Sequence, residues 1–193
     1  MKFSDRVTAI LLASGFSKRF GDRNKLLVPF RGKPMARHTL ELAAAQDFSG
    51  GILFIAAPDE VAALAADLPA VRVIKNTAPE RGLRESVRLG VEAAGRAEYY
   101  MFFHCDQPFL DRDTVLRIIS ERRPGCIVEP RYRGRPGNPA LFSAFFREEL
   151  LALGEGETPR IIKARHPELV RIADVTNPLA LEDIDDEETL KRW

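Results

Sequence analysis

Apolar residues along this chain fall into short unbroken runs, set apart by stretches in which they recur every three or four positions. Val7 to Ala13, Gly51 to Ala57, Val71 to Lys75 and Tyr99 to His104 are runs of strand length. The last is continuously apolar and aromatic, the mark of a strand buried on both faces. Between them lie helical patterns. Pro34 to Gln46 has proline in its first turn, where its missing N–H is harmless. Asp59 to Asp67 is short and alanine-rich. In Gly82 to Ala94 the residues Leu83, Val87, Val91 and Ala94 share one face, while Arg84, Glu85, Arg88 and Glu92 lie elsewhere. Asp111 or Asp113 caps a further helix carrying Val115, Leu116, Ile118 and Ile119.

Strand alternating with helix predicts an α/β fold, with a mostly parallel sheet flanked by helices in a Rossmann-like arrangement. Ligands of such sheets bind at the carboxyl ends of the strands, here just after Ala13, Lys75 and His104. The last third is less regular. Cys126 to Pro130 reads as a strand, and Arg131 to Pro139 as an exposed loop or hairpin. Ser143 to Leu153 reads as a helix stopped by Gly154, and Thr158-Pro159 as a helix start. Leu169 to Ala173 reads as a final strand. No repeat or linker divides the chain, so a single domain over residues 1–193 is expected.

Composition narrows the function. A chain of 193 residues buries roughly 70% of its unfolded surface and needs no disulfide or metal staple. Charged residues make up 30%, yet the net charge is only +1. No basic excess points to nucleic acid, so a charged ligand must be met by local groups. Cys105 and Cys126 are too few for a disulfide framework and read as reduced thiols of a cytoplasmic protein. No apolar run approaches the ~20 residues of a membrane span. Lys2 and Arg6 ahead of Val7 to Ala13 resemble a weak signal peptide, but a buried first strand explains that run better.

Four segments carry candidate chemistry. The first is the loop Leu12-Ala13-Ser14-Gly15 through Arg19, followed by Lys25. Gly15 and its small neighbours let backbone N–H groups approach an anion, and Arg19 and Lys25 add charge, the combination a triphosphate needs. It is neither a Walker loop nor Gly-x-Gly-x-x-Gly; an ordinary strand-to-helix turn would look much the same. The second is Asp106-Gln107-Pro108. A carboxylate directly after a buried strand can hold Mg²⁺, which asks for one or two carboxylates plus phosphate and water; it can equally cap the next turn. The third is Asn76 with Gly82 and Ser86. Asn76 offers a donor and an acceptor to a base or ribose, and Gly82 and Ser86 open a helix whose N-terminus favours anions. The fourth is Glu182 to Glu188, read as the acidic start of a helix or as Asp183 or Asp185 beside a metal. His38, His104 and His166 lack zinc spacing, and no Gly-x-Ser-x-Gly elbow is present.

Taken in order, these segments resemble the MobA-like NTP transferases of the nucleotide-diphospho-sugar transferase fold. The resemblance rests on Leu12-Ala13-Ser14-Gly15, Arg19, Lys25, Leu26-Leu27, Gly32, Pro34, Asn76, Gly82-Leu83, Asp106-Gln107-Pro108, Gly137-Asn138-Pro139 and Asp183-Ile184-Asp185. It implies catalytic roles for Arg19, Lys25 and Asp106, and a nucleotide seat of Leu12, Ala13, Ser14, Gly15, Arg19, Lys25, Asn76, Gly82 and Ser86. It implies Mg²⁺ on Asp106 and Asp185, with Asp183 less surely. Within the family the look is closest to the molybdenum cofactor cytidylyltransferases. Ser14 carries a side chain where a purine would need room, and Asp183 and Asp185 match that branch. CTP would then donate CMP to the phosphate of molybdopterin, with Arg131, Arg133, Arg135, Asn138 and Asp183 toward the acceptor and a transient contact with a molybdoenzyme. The family's usual small serines are Arg84-Glu85-Ser86 here, and Asn138 replaces its usual His. The rivals are a GTP-using guanylyltransferase, a sugar- or polyol-phosphate cytidylyltransferase, and a non-catalytic chaperone of the cofactor. No nucleic-acid or membrane partner is expected.

Overall fold

The computed structural model describes residues 6–15 and 24–193. Its strands are β1 (Val7–Ala13), β2 (Pro29–Phe30), β3 (Lys33–Pro34), β4 (Ile52–Ala56), β5 (Val71–Lys75), β6 (Tyr99–His104), β7 (Ile127–Tyr132), β8 (Arg135–Pro136), β9 (Ala140–Ser143) and β10 (Val170–Asp174). Its helices are α1 (Met35–Ala44), α2 (Asp59–Ala62), α3 (Leu83–Ala94), α4 (Arg112–Ser120), α5 (Arg147–Leu151), α6 (Arg160–Arg165) and α7 (Glu187–Lys191). The main sheet runs β10-β7-β9-β6-β1-β4-β5, with β8 paired to β7, and β2 and β3 form a small ribbon apart.

The strands of the predicted parallel core do pair in parallel: β1 with β4 and β6, β4 with β5, and β10 with β7. Every residue of β1 is buried, because helices cover both faces of the sheet. Ala9, Leu11, Phe54, Met101 and Phe103 form the core on the α1 and α4 side. Ile10, Leu12, Val87, Tyr100, Phe102 and Phe142 form the core on the α3 and α5 side. Gly90 lets α3 lie close on β1, since a Cβ there would come within 2.4 Å of Ile10 Cγ2. Asp111 is the residue that caps α4, accepting from the Thr114 N–H at 2.8 Å.

The last third departs from the sequence reading at one strand. Ala140 to Ser143 forms β9, which inserts antiparallel between β6 and β7. Ser143, read as a helical residue, instead ends this strand and caps a 3₁₀ turn over Ala144–Phe146, from which α5 continues. Three apolar residues ahead of a capping serine have no period by which to tell strand from helix. The Arg131 to Pro139 segment is a hairpin, as one of the two readings had it. Arg133 and Gly134 both take positive φ, 49° and 82°, at the turn between β7 and β8. Among the described residues no helix is long and apolar enough to cross a membrane.

Candidate active site

β1 and β6 are parallel neighbours, with Leu12 opposite His104. The loops that leave them therefore emerge side by side at one edge of the sheet. Between them opens a cleft of about 570 Å³, lined among others by Leu12, Ala13, Ser14, Gly15, Lys25 and Asp106. Apart from its chain neighbours, no described residue comes within 4 Å of a Cβ placed at Gly15. Ser14 is anchored, its hydroxyl donating to the Ile55 carbonyl at 3.1 Å. Arg19 lies outside the described residues.

The charged centre of this cleft is a lysine between two carboxylates. Lys25 Nζ lies 2.6 Å from Asp106 Oδ2 and 2.9 Å from Asp185 Oδ1. Burial works against the lysine's charge, but Asp106 and then Asp185 outweigh it, and its pKa is raised. Asp185 comes from far along the chain, and Ile184 explains how it is delivered. Ile184 is fully buried against Val28, Phe30 and Met35, and its N–H donates to the Asp106 carbonyl at 3.0 Å. Gln107 Nε2 adds a bond to the Leu181 carbonyl at 3.4 Å. The apolar residue of Asp183-Ile184-Asp185 is thus the anchor, and the acids flank it. Ile184→Ala should destabilise the fold by about 2–5 kcal/mol and lower activity beyond that loss of folded protein. Thermal melting together with rates at matched folded fraction checks both; normal activity per folded molecule would show that Asp185 is held by other means.

The acidic cluster divides by position. Asp186 caps α7, accepting from the Thr189 N–H, while Asp185 enters the cleft. Asp183 keeps part of its surface in solvent. Its carboxyl end is desolvated and faces the charges of Asp106 and Asp185, which together push its pKa up to about 7.

The donor set fits a hard divalent cation. Asp106 Oδ1 is buried and has no hydrogen-bond partner among the described residues, so a carboxylate oxygen stands ready beside Asp185. Among the described residues no group of three or more His, Cys, Asp or Glu could cage a metal by itself. Two carboxylates suit Mg²⁺, which keeps waters and takes phosphate oxygens for the rest of its shell. Neighbouring groups do not compete as nucleophiles. Burial pushes the Cys105 thiol well above its ordinary pKa, so the thiolate is not available. Burial also lowers the pKa of His104, which stays neutral at pH 7.

Gly82 and Ser86 line the same cleft at the start of α3. Gly82 caps that helix with φ 78°, a conformation that suits glycine. Asn76 does not reach the cleft lining. Its amide donates to Ser86 Oγ at 3.1 Å and its carbonyl accepts from the Ala78 N–H at 3.0 Å. Both of its polar ends thus bond within the protein, and Asn76 fixes Ser86 and the turn before α3.

A second cleft of about 710 Å³ adjoins the first, sharing Leu12, Leu83 and His104 with it. Of the hairpin residues, Arg131, Pro136, Gly137 and Asn138 line it. Arg133 instead lies over the Tyr132 ring at 5.4 Å. Arg135 is exposed, with Glu182 3.7 Å away. The second cleft also gathers Glu129, Arg160 and Lys163, which sequence reasoning passed over together with His104. Burial raises the pKa of Glu129, but Lys163 and then Arg131 hold it below the ordinary value. Arg160 and Lys163 follow the Thr158-Pro159 start three residues apart, a signal that could have drawn attention to one face of α6.

A three-layer α/β sheet that brings a glycine loop, a lysine and two carboxylates to one strand edge defines a nucleotidyltransferase. The chain belongs to the MobA-like NTP transferase family: the model of the MobA-like NTP transferase domain matches residues 9–169. The nicotine blue oxidoreductase of Paenarthrobacter nicotinovorans is 27% identical over 194 residues, covering 96% of this chain and 95% of that protein. A molybdenum cofactor guanylyltransferase of Cupriavidus metallidurans is 33% identical over 115 residues, 59% of this chain and 54% of that enzyme. The chain thus aligns with about half the length of that relative. Among solved structures, Rv0371c of Mycobacterium tuberculosis superposes with a TM-score of 0.82 at 26% identity, over 98% of both chains.

Proposed function

We propose that this enzyme moves a nucleoside monophosphate from an NTP onto the phosphate of molybdopterin, releasing pyrophosphate. The observation that carries the reading is the Lys25–Asp106–Asp185 centre in a cleft that opens directly into a second one. An oxygen of the acceptor phosphate attacks the α-phosphorus in line. The bond from that phosphorus to the bridging oxygen breaks, and pyrophosphate takes the electron pair. No covalent enzyme intermediate is needed, so the protein's work is positioning and charge stabilisation. Mg²⁺ on Asp106 and Asp185 supplies positive charge to the phosphate oxygens when bound. Lys25 neutralises the two carboxylates beforehand and then offers its charge to the phosphates, with Arg19. Gly15 and the N-terminus of α3, with Gly82 and Ser86, seat the anion. Residues 1–193 act as one cytoplasmic domain, with a transient contact to a molybdoenzyme.

The guanylyltransferase named among the relatives favours GTP as the donor. Ser14 favours a second reading with CTP, because its anchored side chain occupies space that a purine would need. α-Labelled GTP and CTP, offered in parallel with Mg²⁺ and molybdopterin, separate the two. Label on the pterin from one nucleotide alone names the donor. No label from either, with Mg·NTP still bound, would overturn the molybdopterin reading in favour of a sugar or polyol phosphate. Ser14→Gly should raise the GTP-to-CTP ratio of kcat/KM by about tenfold; an unchanged ratio would place base recognition elsewhere.

A further inference from the structure

The second cleft contains a buried acid–base pair that the transfer chemistry does not use. Glu129 on β7 and Lys163 on α6 have side chains only 8% and 15% exposed, and their charged atoms lie 2.5 Å apart. Arg131 Nε donates to the other Glu129 oxygen at 2.9 Å. The sheet register gives the distance from this pair to the transfer point. Phe102 pairs with Ala140, and β7 continues past the Val128–Leu141 pair, so Glu129 stands beside Ala140. His104, which lines both clefts and marks their junction, is two residues further along β6. Strands ~4.8 Å apart and ~3.3 Å per residue put the Glu129 backbone about 12 Å from that of His104. An acceptor whose phosphate sits at the junction therefore brings its opposite end toward Glu129 if it is about that long.

The chemistry of that end follows from the pair. A carboxylate has roughly four acceptor sites and an ammonium three donors, and the bonds from Arg131 and Lys163 to Glu129 use one each of the lysine's and arginine's donors and two of the carboxylate's sites. Glu129 would accept N–H groups, and the lysine beside it would donate to a carbonyl oxygen. The walls, including Leu12, Leu83, Phe102 and Phe142, are apolar and suit a flat ring body. We infer that Glu129 and Lys163 read the amino-oxo edge of a heterocyclic acceptor, at the end opposite its phosphate. This rests on the reading of the second cleft as the acceptor's, and it makes the pair a specificity element of the same reaction.

The test titrates the full chain with 6-hydroxymethylpterin, which carries the amino-oxo edge and no phosphate, and follows the probe's own fluorescence. The wild type should bind it. Glu129→Gln and Lys163→Met should each weaken binding by about tenfold or more, with Mg·NTP affinity unchanged. Glu129→Gln leaves the lysine buried without its charge partner, so the double variant Glu129→Gln/Lys163→Met, which removes both charges, is measured beside it, and thermal melting selects the folded variants. Equal pterin affinity in the wild type and every folded variant would overturn the inference. So would a Glu129→Gln enzyme that transfers nucleotide with an unchanged acceptor KM, and that result would leave the proposed function standing. Pterin binding that depends on Glu129, in a protein that transfers no nucleotide to molybdopterin, would support the inference while the proposed function fails.

Discussion

Asp106→Ala is expected to lower nucleotidyl transfer by roughly 10³-fold while leaving the fold intact. The two halves of this expectation have separate causes. Asp106 Oδ2 bonds Lys25 and Oδ1 is a buried oxygen with no partner among the described residues, so the side chain removed is a charge centre and not core volume. Its backbone carbonyl, which receives the Ile184 N–H, is kept by alanine. Lys25 retains Asp185, so no buried cation is left alone. Steady-state transfer of labelled nucleotide gives the rate and calorimetric melting gives the stability. Near-normal transfer at ordinary Mg²⁺ would remove Asp106 from the metal site. Lost transfer with a collapsed melting temperature would make its role structural.

Lys25→Met has the second largest expected effect, with opposite signs in two readouts. The ammonium sits between Asp106 and Asp185 and so competes with any cation those carboxylates would hold. Removing it leaves two like charges facing one another. Divalent metal without nucleotide should then bind several-fold more tightly, as read by Mn²⁺ paramagnetic resonance. Transfer should nevertheless fall by roughly 10²-fold, because the triphosphate and leaving pyrophosphate lose a positive group. Metal affinity that falls in this variant would mean that Lys25 organises the carboxylates and does not compete at them.

The sheet core was legible because burial on both faces writes itself as unbroken apolar runs. β1 and β6 begin and end where those runs do, and β5, an edge strand that carries Arg72 and Lys75 and buries only Val71, keeps its expected bounds as well. Strand β9 was not legible, because it gains its identity from partners far apart in sequence, β6 and β7. The site divides in a similar way. Asp106 and Lys25 stand out locally, one directly after a buried strand and one after a glycine loop. Composition left the acidic run open between a helix start and Asp183 or Asp185 beside a metal, because the two uses fall on adjacent positions: Asp186 caps α7 while Asp185, next to the buried Ile184, faces Lys25. Asn76 reads as a nucleotide contact until Ser86 and Ala78 are seen to hold both of its polar ends. The basic run Arg131, Arg133 and Arg135 reads as a unit, but the hairpin turn sends only Arg131 toward the second cleft. Glu129 and Lys163 lie on different elements and meet only through the tertiary fold.

The central claim is transfer of the α-phosphoryl group with its nucleoside, and isotope position tests it most directly. Parallel reactions of the full chain with molybdopterin, Mg²⁺ and NTP labelled at the α- or γ-phosphorus are followed for label in the pterin product and in released pyrophosphate. Nucleotidyl transfer puts α-label on the pterin, γ-label in pyrophosphate, and one pyrophosphate in solution for each nucleotide transferred, all lost in Asp106→Ala. Release of γ-label as inorganic phosphate, with no α-label on the pterin, would contradict it and make the cleft a site of hydrolysis.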